Sequence, residues 1–276
     1  MRLLTVLFWL GFAAAAQAQD SVLRTFQTGD DNRGWEAVGR LDIDGKGFCT
    51  GALIAPDLVL TAAHCLFDRN SSVRIDPARI EFQAGLRNGR ALAYRRVRRA
   101  VVEPDYVNLG TPTAANSRFD LALLELVQPI RLTRVIPFAT VNRIATGAEV
   151  SVVSYARNRE YAASMQDICA VLGQQEGVMV MSCDVDFGSS GAPVFQIRDG
   201  VASIVSVVSA KAEMDGRQVA IGTALAEPLI RLRGLLAKGA GVFQVAPPTQ
   251  VRVVGPGQRN ATGAKFVSPA TAPSGG

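Results

Sequence analysis

Apolar-rich segments of strand length recur along this chain, each cut short by Gly, Pro, Asn or Asp. Residues 35–41 form the first candidate strand, and Asp42-Ile43-Asp44-Gly45-Lys46-Gly47 reads as a turn. Residues 49–54 resume extended structure, Ala55-Pro56-Asp57 breaks it, and 58–61 is β-rich again. Further candidates are 79–84, 92–102, 121–126, 149–155, 177–183, 192–197, 201–209 and 217–224. Many short strands at this spacing argue for all-β barrels or sandwiches. One helix stands out, at 228–238. Pro228 suits its first turn, Leu229, Leu232, Leu235 and Leu236 share a face, and Gly239 can end it. No internal repeat is evident.

The two ends read differently from the middle. Arg2, the apolar run 3–12 and the small-x-small site Ala16-Gln17-Ala18 form a secretory leader over residues 1–18. The alternative, an N-terminal membrane helix, is disfavoured because the run is short and poorly flanked. No stable membrane insertion is expected, and the location is secreted or periplasmic. Residues 19–34 lead into the first strand. Residues 241–276 are rich in Pro, Gly, Ala and Thr and are expected to form a disordered tail. About 220 residues lie between, enough for one large or two small cores.

The formal net charge is +5, and arginine supplies most of it. The densest basic run is Arg95-Arg96-Val97-Arg98-Arg99. It reads first as the solvated face of a strand, and second as a contact for a polyanion or an anionic surface. No recognition motif accompanies the charge, so nucleic-acid binding is not indicated. Four cysteines, an even number in an exported chain, imply two disulfides. Three pairings are formally possible, and the local ones, Cys49–Cys65 and Cys169–Cys183, are the simplest. A metal site is not expected, since the one histidine has no second imidazole and no Cys-x-x-Cys occurs.

That histidine lies in Thr61-Ala62-Ala63-His64-Cys65, and any His-dependent chemistry must run through it. Downstream come Phe119-Asp120-Leu121-Ala122-Leu123-Leu124 and Gly188-Ser189-Ser190-Gly191-Ala192-Pro193. A serine hydroxyl is a poor nucleophile near neutral pH and needs a base within hydrogen-bond reach. His64 can serve, because its reference pKa lies near the working pH. A carboxylate must then hold the imidazole tautomer and stabilise the imidazolium. Asp120 is the candidate, leading an apolar run that would anchor it on a buried strand.

His, Asp and Ser in this order, the last in a Gly-rich turn, resemble the chymotrypsin-type serine peptidases. The likeness runs from about residue 35 to 238 and is nearest the bacterial V8-like, glutamyl endopeptidase-like branch. It includes the strand Cys49-Thr50-Gly51-Ala52-Leu53-Ile54 and the turn Val102-Glu103-Pro104-Asp105-Tyr106. The resemblance implies two six-stranded Greek-key β-barrels with a C-terminal helix. The first barrel, 35–130, carries His64 and Asp120. The second, 131–240 with the helix, carries Ser190. The family pattern Gly-x-Ser-Gly-x-Pro selects Ser190 over Ser189 as nucleophile. It also implies an oxyanion hole from the N–H groups of Gly188 and Ser190, and a hydrogen bond from Ser206 toward Asp120. Ser189 departs from trypsin, where an Asp pairs with a freed N-terminal amine, so activation in that style is not expected.

Specificity cues conflict. Glutamyl-specific relatives use a second histidine, which this chain lacks. Asp184 has the offset of the acid at the base of the trypsin S1 pocket, which would suit Arg or Lys, yet it also reads as a loop aspartate capping a turn beside Cys183. Val207-Val208 stand where trypsin has Trp-Gly, and Val208 would narrow the pocket. The resulting expectation is a monomeric, exported serine endopeptidase acting on protein or peptide, with no cofactor or metal. The alternative is a catalytically weak or inactive binding protein of the same fold.

Overall fold

Residues 80–84 show how this chain folds: Ile80, Phe82 and Ala84 are buried while Glu81 and Gln83 are partly exposed, the period-two alternation of a strand with one face on a core. The computed structural model describes residues 23–110 and 113–244. The first barrel comprises β1 (Val38–Ile43), β2 (Gly47–Ala55), β3 (Leu58–Thr61), β4 (Ile80–Ala84), β5 (Ala93–Val102) and β6 (Ala122–Leu126). Its antiparallel neighbours run β1-β2-β3-β6-β5-β4 and close back onto β1. The second comprises β7 (Glu149–Ser154), β8 (Ser164–Gln175), β9 (Val178–Met181), β10 (Pro193–Arg198), β11 (Val201–Met214) and β12 (Arg217–Ala224). It closes in the same order, β7-β8-β9-β12-β11-β10 and back to β7. The expected pair of six-stranded barrels is therefore present. The two share one topology, a repeat that the side chains do not display.

Strand β8 falls in a stretch that the hydrophobic pattern leaves blank. Two register shifts explain this, one between Gln166 and Cys169 and one between Val171 and Gly173. Each bulge resets the in–out alternation, so no period of two survives across the strand. The arginine run lies on β5. Arg98 and Arg99 both close on the carboxylate of Glu125 in β6, so half of that run is spent on internal pairing.

The barrels share an aromatic contact. Trp35, Phe138 and Phe195 pack with ring centroids 4.9 Å (Trp35–Phe195) and 4.6 Å (Phe138–Phe195) apart, in edge-to-face geometry. The helix α1 (Ala226–Lys238) buries Leu229, Leu232 and Leu236 against the core. Fully burying a leucine contributes about 1.5–3 kcal/mol. The helix ends at Gly239 in the left-handed region, whose N–H donates to the carbonyls of Leu235 and Leu236.

Two boundaries shift. The helix begins two residues before the expected start. The chain beyond it is also not disordered from residue 241: Val242–Gln244 form a short strand paired with Arg99, Ala100 and Val101 of β5. Phe243 holds it there, half-buried beneath the guanidinium of Arg74. At the other end, Arg24–Thr25 pair with Met165 and Ser164 of β8, and Phe26 is fully buried. The leader at 1–18 and the tail beyond 244 lie outside the described residues. Among the described residues, no helix is long and apolar enough to cross a membrane.

Candidate active site

His64 follows β3 in a single 3₁₀ turn, Ala63–Leu66. The Cys49–Cys65 disulfide ties this turn to β2. The histidine side chain is 27% exposed, while that of Asp120 is only 4% exposed. Asp120 sits just ahead of β6, its N–H donating to the carbonyl of Ser117. The His64 backbone N–H donates to Asp120 Oδ1 at 2.9 Å, and His64 Nδ1 lies 2.7 Å from Asp120 Oδ2. An ionised carboxylate can only accept, so Nδ1 is the donor in this contact, and in the neutral ring Nε2 is the nitrogen that keeps its lone pair. A basic ring nitrogen is thus held in one tautomer and one orientation.

A third donor reaches the same carboxylate. Ser209 Oγ donates to Asp120 Oδ2 at 2.6 Å, from β11 of the other barrel. This corrects the expectation for Ser206, which is fully buried and donates to the carbonyl of Thr223 at 2.8 Å. Ser206 lies in regular register opposite Ala224 of β12, whereas Ser209 lies in a bulge between Val208 and Ala210. The register of the pocket strand moves with it. Ala210 and Lys211 follow the supporting serine and line the cavity, while Val208 lies buried on its wall.

Ser190 lies in the loop 186–191. The loop is pinned by hydrogen bonds from Ser189 N–H to the Asp186 carbonyl, Gly191 N–H to Val208 and Ala192 N–H to Ser189. Thr50 holds it from the first barrel: its N–H donates to the Ser190 carbonyl at 2.8 Å, and its hydroxyl to the Gly188 carbonyl at 2.9 Å. Glycine is required twice here. Gly188 has φ +97°, and a Cβ would fall 2.2 Å from the Phe48 ring; Gly191 has φ +76°, and a Cβ would fall 2.1 Å from Thr61 Oγ1. Among the described residues, no acceptor takes the N–H of Gly188 or of Ser190. The adjacent serines differ sharply in setting. Ser189 is fully buried, its hydroxyl 3.2 Å from that of Ser154, whereas Ser190 is partly exposed and lines the cavity that His64 also lines.

That cavity holds about 450 Å³. Its lining includes the apolar side chains of Val185, Phe187, Val208, Ala210, Phe67 and Leu109 and the charged ones of Arg69, Asp186 and Lys211. Tyr106 packs against Phe67 in a tilted arrangement, with centroids 5.7 Å apart. Burial, and then the Asp120 carboxylate, push its phenol above the ordinary range. Asp184 is not at the base of this cavity. Its side chain is 76% exposed, 3.7 Å from Lys211 Nζ, and its N–H is held by Gln166. Val185 turns inward in its place, and the aspartate on the lining is Asp186.

The second disulfide, Cys169–Cys183, links β8 to the segment entering the nucleophile loop. Cys49, Cys65 and His64 lie close enough to suggest a metal centre, but both sulfurs are consumed in the first disulfide. A disulfide offers no thiolate to a metal. Thr50 and Ser209 are the positions that sequence reasoning missed. Thr50 sits inside a quoted motif, so proximity to Cys49 was a usable signal. For Ser209 there was none, because the bulge is invisible in the side-chain pattern.

A family model described as a trypsin-like peptidase domain matches residues 49–202. A glutamyl endopeptidase from Bacillus licheniformis is 25% identical over 151 residues, which are 54% of this chain and 46% of that protein. The chain thus spans about half the length of that relative. The solved structure of a Glu endopeptidase in complex with MPD superposes with a TM-score of 0.63 at 18% identity, covering 80% of this chain and 98% of that one.

Proposed function

Because the chain belongs to the trypsin-like peptidase domain family, we propose that it is an exported serine endopeptidase working through His64, Asp120, Ser190 and an acyl-enzyme. One observation carries the reading: a carboxylate fastened by three donors holds His64 through Nδ1, on the cavity that Ser190 lines. His64 Nε2 takes the Ser190 proton as the hydroxyl attacks the scissile carbonyl. The N–H groups of Gly188 and Ser190 receive the oxyanion, and each such donor is worth about 10²–10³ in rate. His64 then protonates the leaving amine, and water releases the acyl group by the same route. An extended peptide lies along Ser209–Lys211 by strand addition. The sequence of steps uses no metal or cofactor.

The pocket wall of Val185, Phe187, Val208 and Ala210 supports a small or medium apolar P1 residue. Two disulfides and the leader-like start support export to an oxidising compartment. A fluorophosphonate probe tests the reading. Covalent labelling at Ser190, abolished in Ser190→Ala and accompanied by hydrolysis of casein or peptide esters, is the expected result. A folded protein that neither labels nor hydrolyses would instead be a binding module built on the peptidase fold.

A further inference from the structure

The turn that leaves β7 is fastened to the nucleophile loop at several points. Arg157 N–H donates to the Phe187 carbonyl at 2.7 Å, and its guanidinium lies 4.4 Å over the Phe187 ring. Two residues on, Arg159 turns back beneath the loop. Its N–H closes the turn onto Ala156. Its Nη1 donates to the Ser154 carbonyl at 2.9 Å, and its Nη2 reaches Ser189 Oγ at 3.4 Å. Ser189 Oγ also lies 3.2 Å from Ser154 Oγ and 3.4 Å from the Asp186 N–H. A partly buried guanidinium and two buried hydroxyls therefore meet directly behind the residue before Ser190.

We propose that Arg159 is a positioning residue for the nucleophile loop: braced on the Ser154 carbonyl, it holds the Ser189 hydroxyl, and so keeps the Ser190 and Gly188 N–H groups in the geometry that receives an oxyanion. The catalytic part of this inference rests on Ser190 being the nucleophile; the anchoring of the loop does not. Burial weakens the guanidinium's hold on its proton, and Asp184 and Asp186 oppose that. Arginine keeps its charge in any such setting, so the anchor is permanent rather than switched by pH. Its planar fork suits the role, since two nitrogens must serve two acceptors on different segments. A lysine would present a single point charge there.

Amide hydrogen exchange by NMR, paired with fluorophosphonate labelling, tests the assignment in wild type, Arg159→Ala, Arg159→Lys and Ser189→Ala. In Arg159→Ala the Ser189 and Gly191 amides should exchange roughly ten- to a hundredfold faster, the equivalent of one charge-assisted hydrogen bond. Core amides such as Val59 and Leu123 should not change. Labelling should slow by about 10²-fold with KM for a peptide ester little altered. Millimolar guanidinium should restore part of the rate in Arg159→Ala where equal sodium does not, and Arg159→Lys should recover less than that. Ser189→Ala removes the acceptor of Arg159 together with the hydroxyl's contacts to Ser154 and Asp186 and should loosen the same amides at least as much. Arg159→Lys, with faster loop exchange than wild type, keeps the test specific to the guanidinium if Arg159→Ala does not fold. Unchanged loop exchange, or an equal rise at every amide, overturns the proposal. Loop amides that respond as expected in a wild type that never labels leave the anchor standing and remove the peptidase reading.

Discussion

The backbone N–H of Thr50 donates to the carbonyl of Ser190 at 2.8 Å, joining the strand beside the histidine turn to the loop of the nucleophile. The Thr50 hydroxyl adds to this by donating to the Gly188 carbonyl and accepting from the Tyr155 N–H. One buried residue of the first barrel thus sets the height of a loop belonging to the second. Its neighbour Cys49 is bonded to Cys65, next to His64, so the two halves of the site share a single mount.

Thr50→Val keeps the shape and the backbone donor but removes the hydroxyl. It strands a buried carbonyl and a buried N–H, at a cost of about 2–4 kcal/mol. Thermal unfolding should show that loss, and kcat should fall further than KM rises, because the loop is displaced while the cavity wall is kept.

Ser190→Ala should lower kcat by about 10⁴–10⁶ with the fold intact. Ser189→Ala should cost far less, about 10²-fold or below, since it weakens an oxyanion donor without removing the nucleophile. Initial rates on mixed peptide esters compare the two. A dead Ser189→Ala beside an active Ser190→Ala would mean that the loop register is off by one.

Ser209→Ala removes one of three donors to Asp120 and should reduce kcat/KM roughly ten- to a hundredfold, the worth of a hydrogen bond to a charged group. Ser206→Ala, whose hydroxyl points to the Thr223 carbonyl, should leave turnover nearly unchanged and affect only stability. Steady-state kinetics on the pair distinguish the supporting serine directly.

Peptide mapping without reductant should recover Cys49–Cys65 and Cys169–Cys183 as the linked pairs. Replacing Cys169 and Cys183 together by Ala should lower unfolding stability by about 3 kcal/mol, the entropy of releasing a loop of this size. Denaturant titration reads the difference. A recovered Cys65–Cys183 linkage would contradict the two-barrel arrangement.

Asp184→Ser should barely change the ratio of cleavage after Arg, Ala and Glu. The lost pair with Lys211 is exposed, and such pairs contribute no more than about 1 kcal/mol, or roughly fivefold. Val208→Gly should instead widen the pocket and raise rates on bulky apolar P1 residues. Cleavage profiles on matched peptides measure both, and a strong Glu preference in wild type would sink the apolar reading.

Much of this protein was legible along the chain because local chemistry demanded it. Short β-rich runs between turn residues implied an all-β barrel or sandwich, and the resemblance carried by the motifs narrowed this to two barrels. The one histidine, followed by Asp120 and the Gly-flanked Ser190, implied a triad, since any His-dependent chemistry had to run through it. The helix was visible down to its Gly239 stop, because that signal depends only on neighbours within a turn. Tertiary structure decided what depends on register and on distant partners. The bulges hid β8, because one extra residue reverses which face of a strand looks inward, and the closed fold aims Ser209 at Asp120 while Ser206 turns to Thr223. The exposure of Asp184 and the burial of Ser189 go with contacts to Lys211, Gln166, Ser154 and Arg159, which lie 18 to 35 positions away along the chain. No local pattern carries such contacts, so they exist only once the second barrel has closed.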